Sequence, residues 1–306
     1  MIRFNHISKE YGNVKALHDI DFEVRQGELF GLIGPDGAGK TSLMRILATL
    51  ILPDAGNAFI DKVNVVKNYK IIRNEIGYMP GKFSLYQDLS VEENLSFFAT
   101  IFGTSIEDNY ELIRPIYQAL EPFCKRRAGA LSGGMKQKLA LCCALIHRPK
   151  VLILDEPTTG VDAVSRKEFW EILKSLKQYG ITIFVSTPYM DEATLCERVA
   201  LIQNGKILQI ETPQQIVANF PHQIFAVHSA DNFQLLQDLQ EWKTLHSVYP
   251  FGYNFHLIDT RSSCDITNEL QIYLTQRGHS EIACSLAKPT IEDCFMELLK
   301  DTNSIE

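Results

Sequence analysis

Apolar and polar side chains alternate at residues 20–25, and a continuous apolar run follows at 29–33. A period of two predicts a strand with one buried face, and glycine suits a tight turn, so we predict two strands joined at 26–27. Residues 40–50 have the pattern of a helix. The Pro-Asp-Ala-Gly segment at 53–56 predicts a turn before another short strand.

Two further apolar runs, at 151–154 and 181–185, are typical of strands buried on both faces of a parallel sheet. Between them, residues 165–179 form a predicted helix with its apolar positions on one stripe. The stripe comprises Phe169, Ile172, Leu173 and Leu176. Strands that alternate with helices in this way predict an α/β core.

Two segments depart from this alternation. Residues from about 83 to 148 lack strong strand signals and predict a helical insertion. After residue 213 the pattern changes again, so we place a domain boundary near 213–221 and expect a small α+β domain at 222–306. The predicted helices of the insertion are 91–101 and 106–120; those of the last segment are 233–242 and 266–277, with strands at 224–227 and 255–258.

The composition is that of a folded chain: 306 residues, 45% hydrophobic and 22% charged. A net charge of −7 offers no broad basic surface to a phosphate backbone, so we expect no nucleic-acid partner. The first residues lack a basic-then-apolar signal segment, and no uninterrupted run of about 18 apolar residues occurs. We therefore expect a cytoplasmic protein that meets a membrane only through a partner.

The cysteines favour the same compartment. They include no C-x-x-C pair, and an odd number leaves at least one thiol unpaired, which favours a reducing cytosol. Cys142 and Cys143 are expected to be small apolar residues of a buried helix, without metal or redox chemistry. The seven are Cys124, Cys142, Cys143, Cys196, Cys264, Cys284 and Cys294.

The segment GPDGAGKT at 34–41 satisfies the pattern G-x-x-x-x-G-K-[ST] between a predicted strand and a predicted helix. In such a P-loop, backbone N–H groups curl around a β-phosphate, Lys40 reaches the β- and γ-phosphate oxygens, and the Thr41 hydroxyl ligates Mg²⁺. A glycine-rich turn without a ligand is the alternative for this motif alone. The predicted nucleotide-binding residues here are Gly34, Pro35, Asp36, Gly37, Ala38, Gly39, Lys40, Thr41 and Ser42.

Asp155 and Glu156 directly follow the apolar run at 151–154. Both carboxylates are therefore expected at the carboxyl end of a buried strand. Asp155 can hold Mg²⁺ through water, and Glu156 can act as the general base on an attacking water. An acidic pair after an apolar strand is common by chance, but together with the P-loop it predicts ATP hydrolysis.

The segment LSGGM at 131–135 lies just before a predicted helix. Ser132, Gly133 and Gly134 would offer a hydroxyl, exposed N–H groups and the helix dipole to a phosphate, with an ordinary N-cap as the alternative. With the P-loop, this segment and the acidic pair in that order, the chain resembles the ATP-binding cassette (ABC) family. In that family the signature contacts the γ-phosphate of ATP held by the opposite subunit.

The resemblance covers residues 1–212 and implies a fold and a ligand. The implied fold is α/β: a P-loop NTPase core with an antiparallel β subdomain and the helical insertion, followed here by the small α+β domain. The implied ligand is ATP with Mg²⁺. Tyr11 falls where the family stacks an aromatic ring on adenine, although a strand-end tyrosine is the alternative, and Gly160-Val161-Asp162 matches the D-loop at the dimer contact.

Two positions depart from the family pattern. Gly81 stands where a glutamine ordinarily senses Mg²⁺ and the attacking water, and Gln87 is a poor substitute on spacing. Pro188 stands at the place of the histidine that contacts the γ-phosphate, and proline has no side-chain donor. We therefore expect ATP binding to survive better than hydrolysis at this chain's own P-loop.

The ending KPTIEDCFMELL at 288–299 resembles that of the ATP-binding subunits of daunorubicin-resistance-type exporters. This implies a peripheral subunit on the inner face of the cell membrane, with separate transmembrane permease subunits and a second ABC ATPase subunit, a heterodimer being favoured and a homodimer possible. The alternatives are a non-transport ABC ATPase of translation or DNA repair, disfavoured by the single P-loop, and a non-hydrolysing ATP sensor. Five histidines in the last third lack ligand spacing, so we expect solvated surface residues rather than a metal site.

Overall fold

The computed structural model describes residues 1–261 and 265–303, so Cys264 lies outside the described residues. The chain divides into two compact units, Met1–Pro213 and a second that begins at Gln214. In chain order, the elements of the first are β1 (Ile2–Tyr11), β2 (Val14–Val24), β3 (Leu29–Ile33), α1 (Lys40–Leu47), β4 (Ala55–Ile60), β5 (Val63–Asn64), α2 (Tyr69–Glu75), β6 (Ile76–Met79), α3 (Val91–Ile101), α4 (Tyr110–Tyr117), α5 (Gly133–Leu145), β7 (Val151–Asp155), α6 (Ala163–Leu176), β8 (Thr182–Thr187), β9 (Arg198–Gln203) and β10 (Lys206–Glu211). From the division onward they are α7 (Pro213–Ala218), β11 (Ile224–His228), α8 (Asn232–Gln240), β12 (Leu245–Phe251), β13 (Asn254–Asp259), α9 (Ile266–Gln276), β14 (Ala283–Ala287) and α10 (Ile291–Asn303).

Six strands form the central sheet of the first unit, in the order β10-β9-β3-β8-β7-β6. The β10-β9 pair is antiparallel and the others are parallel. Every residue of β3, β7 and β8 is buried, as continuous apolar runs predict for strands covered on both faces. Because parallel strands end at one edge, the segments that follow β3, β7 and β8 are brought together there.

A second, antiparallel sheet has the order β2-β1-β4-β5. The predicted turn between β2 and β3 is present at Gly27, but the two strands belong to different sheets. The two sheets share one core, in which four phenylalanine rings pack with centroids between 4.8 and 6.3 Å apart. The rings belong to Phe4 and Phe22 of the antiparallel sheet and to Phe30 and Phe184 of the central one.

Helices α3, α4 and α5 occupy the chain between β6 and β7, where a helical insertion is predicted. Helix α3 has the predicted bounds. The helix predicted at 106–120 is shorter, because reciprocal hydrogen bonds between Ser105 and Asp108 hold the preceding turn as a 3-10 helix. Cys142 and Cys143 are buried on α5 and burial raises the pKa of both thiols, so they are inert apolar residues, as expected.

The second unit is a four-stranded antiparallel sheet in the order β12-β13-β11-β14. Alternate residues of β11 lie on opposite faces of this sheet and pack against different helices. Phe225 and Val227 pack with residues of α8 and α9, whereas Ile224 packs with Met296 of α10. The strands and helices predicted for this segment are all present, together with β12 and β14, which the sequence pattern did not predict.

The expectation that the five histidines of this unit lie on the surface is wrong for two of them. His256 is 4% exposed, and the side chain of His279 is 1% exposed. Each ring has a carboxylate partner: His279 Nε2 lies 2.8 Å from Asp238 Oδ2, and His256 Nδ1 lies 2.6 Å from Asp293 Oδ1. A polar ring can be buried here because a carboxylate accepts its N–H.

Asp293, in the PTIED segment of the exporter-like ending, is fully buried at the start of α10. Oδ2 accepts hydrogen bonds from the backbone N–H and the hydroxyl of Thr290, at 2.7 and 2.6 Å. Oδ1 accepts from Tyr249 Oη at 2.8 Å and from His256. Burial alone would raise the pKa of Asp293, but the hydrogen bonds from His256, Thr290 and Tyr249 outweigh it and lower the pKa.

We predict that Asp293→Asn lowers the free energy of unfolding of the second unit by about 2–4 kcal/mol at pH 7, since an amide cannot accept all of these bonds. A carboxylate with a lowered folded pKa stabilises the fold above its unfolded pKa, about 4, and the stabilisation is lost as the pH falls through the folded value. Urea unfolding at pH 7 and at acid pH measures both effects. Exposed Glu281→Gln is the control, and identical unfolding curves for the two variants would contradict this role for Asp293.

Candidate functional site

The loop between β3 and α1 follows a fully buried strand of the sheet and is held by close backbone contacts. Gly37 and Gly39 adopt φ values of 80° and 103°, in the left-handed region that favours glycine. A Cβ on Gly39 would lie 2.5 Å from the carbonyl oxygen of Ala16, and one on Gly34 would lie 2.2 Å from that of Ile202. Glycine is therefore required by φ at Gly37, by space at Gly34 and by both at Gly39. Helix α1 starts with no side-chain cap on its first N–H groups.

Lys40, the first residue of α1, is curled back into this loop. Its Nζ donates to the carbonyl oxygens of Gly34 and Pro35, at 2.8 and 2.9 Å, and lies 3.1 Å from Glu156 Oε1. The side chain is only 2% exposed. An ammonium group is thus held at the centre of the loop, whereas the Asp36 carboxylate, 3.9 Å away, is mostly in solvent.

Asp155, the last residue of β7, is buried beside the loop. Its Oδ1 accepts hydrogen bonds from Thr41 Oγ1 at 3.1 Å and from Ser186 Oγ at 2.9 Å. Burial raises the pKa of Asp155, and the two hydroxyl bonds offset only part of that effect. Hydroxyl and carboxylate oxygens are the donors that Mg²⁺ prefers, so Thr41 and Asp155 fit a shared divalent cation, which would also favour the charged carboxylate.

Glu156 turns the chain at the end of β7 with a φ of 51°, which is uncommon for a residue other than glycine. Its backbone N–H donates to the carbonyl oxygen and to the hydroxyl of Ser186, both at 3.1 Å. The side chain is 20% exposed and reaches Lys40. Strained backbone of this kind is concentrated at functional sites, and here it places a carboxylate at the mouth of the loop.

Ser186 was not predicted from the sequence, although it bonds to both acidic residues. The signal that could have found it is the polar pair Ser186-Thr187 at the end of the apolar run of β8, the strand next to β7. The carbonyl oxygen of Thr187 accepts from the N–H of Gly34 at 3.3 Å, which brings the end of β8 against the loop. Pro188 comes directly after this contact.

Gly81 lies against the same acidic pair. A Cβ at this position would be 3.0 Å from the carbonyl oxygen of Asp155 and 3.8 Å from the Cβ of Glu156. Gln87 lies elsewhere, because its carbonyl oxygen accepts from the N–H of Gly129 at 2.9 Å in the helical segment. The spacing argument against Gln87 as a substitute is therefore supported by its position.

The signature segment forms a separate cluster. Ser132 caps α5 by accepting from the N–H of Met135 at 3.3 Å. A Cβ on Gly134 would lie 2.6 Å from Ser165 Oγ, and one on Gly133 would lie 3.6 Å from the carbonyl oxygen of Gly160, so α5 packs closely on the start of α6. Among the described residues, no hydrogen bond or ion pair links 132–134 to the P-loop of the same chain.

Tyr11 lies beside the first turn of α1. Its Oη accepts a long hydrogen bond, 3.4 Å, from Ser42 Oγ, and the residue is 47% exposed. Of the predicted site residues, the structure thus gathers Lys40, Thr41, Asp155 and Glu156 around one loop, with Tyr11 and Ser42 at its edge.

This chain is similar in sequence to known proteins. The family model described as ABC transporter matches residues 17–159. The probable multidrug ABC transporter ATP-binding protein YbhF of Escherichia coli is 36% identical over the whole of this chain, which spans only 53% of that relative. The Nod factor export ATP-binding protein I of Burkholderia pseudomallei is 32% identical over 97% of this chain and 96% of its own.

Solved ABC cassettes have the same fold as about 70% of the chain. The cbiO1 protein of Clostridium perfringens, part of the ABC transporter complex cbiONQ, superimposes with a TM-score of 0.64 at 25% identity, over 71% of this chain and 90% of its own. The dimeric cassette MJ0796 with bound ADP and Pi gives 0.63 at 25% identity, over 69% and 98%. In the part of the chain that the structure describes, no helix is both long and apolar enough to cross a membrane. On these similarities and on its P-loop, the chain belongs to the ATP-binding proteins of ABC transporters.

Proposed function

We propose that this chain is the ATP-binding subunit of an ABC exporter, which binds and hydrolyses Mg-ATP at the cytoplasmic face of a cell membrane for separate permease subunits. Residues 1–212 act as the nucleotide-binding domain, with 83–148 as its helical subdomain, and 222–306 as an accessory domain. The observation that carries this proposal is the meeting of Lys40, Thr41 and the Asp155-Glu156 pair around the P-loop. The names of the relatives, multidrug transport and Nod factor export, favour export.

The contacts in the loop suggest how ATP is engaged. The phosphates accept hydrogen bonds from the uncapped N–H groups of the P-loop and of the start of α1, and Tyr11 stacks on the adenine. Lys40, which pairs with loop carbonyls and Glu156, exchanges these partners for phosphate oxygens. That exchange frees the Glu156 carboxylate to act as general base. Mg²⁺ would be held by Thr41 and, through water, by Asp155, and would offset the charge of the phosphates.

We expect Glu156→Gln to lower ATP hydrolysis by about 10²–10⁴-fold, because glutamine keeps the shape but cannot accept a proton from water. ATP binding should be kept. Phosphate release and calorimetry with Mg-ATP measure the two quantities. Glu171→Gln, the same substitution at a glutamate of α6 whose side chain is 62% exposed, is the matched control and should leave both nearly unchanged. A Glu156→Gln enzyme as fast as wild type would rule out the assigned base.

A finer part of the proposal concerns the two departures from the family pattern. Gly81 lies where a side chain would reach the acidic pair, and Pro188 follows the residue that contacts the P-loop, yet neither supplies a polar side chain. The site of this chain is therefore slow on its own, while Ser132, Gly133 and Gly134 complete a site on another subunit. This favours a heterodimer with a second ABC ATPase that keeps both polar groups, with a homodimer as the alternative.

We predict that Pro188→His combined with Gly81→Gln raises the turnover of the isolated chain by about tenfold or more, since each restores a polar group near the reacting phosphate. Pro188→Ala with Gly81→Ala is the control, because it carries the same backbone changes and the same Cβ against Asp155. Steady-state phosphate release by wild type and by both variants measures the three turnover rates to be compared. Wild-type turnover of several ATP per second, with no gain in the variant, would show that the site is not impaired. A variant and wild type that both stay inactive with the permease present would instead favour an ATP sensor.

The permease is expected to dock on a cavity of about 520 Å³ between the central sheet and the helical insertion. Its lining includes Phe98 and Ile101 of α3 and Phe102, which follows α3, and it reaches Met79 and Pro80, directly before Gly81. A permease helix seated here would press on the segment that touches Asp155, which connects substrate transport to the ATP site. This continuity is why we assign the cavity to the permease.

Ile101→Glu, on a side chain 57% exposed, should abolish most of the stimulation of ATP hydrolysis by the permease while ATP binding by the isolated chain stays the same. The reason is that a charge at an apolar interface is left unpaired. Ile272→Glu on α9, 59% exposed, is the control. If the Ile101 variant couples to the permease as well as the control does, the permease docks elsewhere.

A further inference from the structure

Three metal-ligating side chains of the second unit converge at one point outside the P-loop site. His222 Nε2 lies 3.3 Å and His246 Nε2 lies 2.7 Å from the same oxygen, Glu297 Oε1. The two imidazole rings are 4.7 Å apart between centroids. One ligand atom from each of the three residues lies within 4.8 Å of the other two.

The residues come from separate parts of the fold. His222 precedes β11, His246 lies on β12 and Glu297 lies on α10, so sequence spacing does not reveal the group. The Glu297 side chain is 12% exposed and both histidine side chains are 31% exposed. An ion from solvent could therefore reach the two rings, while the carboxylate behind them is largely removed from water.

We propose that His222, His246 and Glu297 bind one divalent ion of a late first-row transition metal, and that the physiological ion is Zn²⁺. Two neutral imidazoles and a carboxylate are a ligand set that suits Zn²⁺ in a tetrahedral site, and three protein ligands leave one position for water. Ligand atoms in such a site are about 3.3 Å apart, as follows from Zn–N distances of about 2.0–2.1 Å. The observed separations of 2.7 and 3.3 Å from Glu297 Oε1 require only small side-chain shifts.

A plain hydrogen-bonded cluster is the competing account of these contacts. It requires both Nε2 atoms to carry hydrogen and to donate to one carboxylate oxygen, whereas metal binding requires both to present lone pairs. The ammonium group of Lys300, a charge that opposes a cation, donates to the carbonyl oxygen of His246 at 2.8 Å. Metal binding would connect the chain before β11 with β12 and α10, so the site acts as a structural clamp of the second unit.

The test uses the tag-free full chain without nucleotide and a competition between the protein and a chromophoric zinc chelator. Wild type should bind one equivalent of Zn²⁺ tightly. His222→Ala and Glu297→Gln should each lower the affinity for Zn²⁺ by at least about 10–100-fold, the loss that is typical even when only the outer shell of a metal site is disturbed. His222 lies outside the strands, and Glu297→Gln keeps the side-chain volume, so both variants should fold. ATP binding and circular dichroism verify this.

His228→Ala is the matched control, because His228 is another partly exposed histidine of the same unit, on β11, with its Nδ1 3.1 Å from the carbonyl oxygen of Tyr253. It should bind Zn²⁺ as tightly as wild type. Zn²⁺ should also raise the unfolding temperature of wild type and of this control, but not of His222→Ala.

Cobalt distinguishes this site from the cysteines. Co²⁺ in a site of imidazoles and a carboxylate gives visible d–d bands without the intense thiolate-to-metal absorption of a cysteine site. Zinc uptake that is unchanged in His222→Ala, a thiolate band with cobalt, or no tight uptake by wild type would each overturn the proposal. None of these results bears on ATP binding, so the proposed function is tested independently of the metal site.

Discussion

The Asp155 carboxylate is the interaction on which the ATP site depends. It is buried at the end of β7, and it accepts hydrogen bonds from Thr41, which follows β3, and from Ser186, at the end of β8. A buried carboxylate without partners is costly, so these bonds favour the one register in which the ends of the three parallel strands meet. The same hydroxyl of Ser186 also accepts from the N–H of Glu156, which places the proposed general base beside the loop.

The loop itself depends on close backbone approach rather than on side chains. At Gly34 and Gly39 a Cβ would lie within 2.5 Å of a carbonyl oxygen, and the charge at the loop comes from one lysine whose present partners are carbonyls and Glu156. The elements for binding phosphate are thus complete. Gly81 and Pro188, near this loop, carry no polar side chains. The proposed slow hydrolysis rests on these two positions, whereas the proposed binding of phosphate rests on the loop.

In the second unit, the carboxylates of Asp238, Asp259 and Asp293 are buried and hydrogen-bonded. Asp293 with His256, and Asp238 with His279 and Arg277, bond carboxylates to groups from distant parts of the chain. Asp259 bonds to Trp242, Thr244 and the adjacent Arg261, and these hydrogen bonds lower the pKa of Asp259 despite the opposing effect of burial. Such networks are strongly directional, and they specify one arrangement of sheet and helices where apolar packing alone would allow several.

The sequence by itself determined the elements that depend on local pattern. The buried strands, the helices α3 and α6, the P-loop and the acidic pair were all readable, because their periodicity and spacing are properties of adjacent residues. The tertiary structure alone decided that β2 and β3 belong to different sheets, that Ser186 holds both acidic residues, and that His256 and His279 are buried. It also gathered His222, His246 and Glu297, which are separated by up to 75 positions in the chain. These features arise from contacts between residues far apart in sequence, and no local pattern records which distant side chain will satisfy a buried polar group.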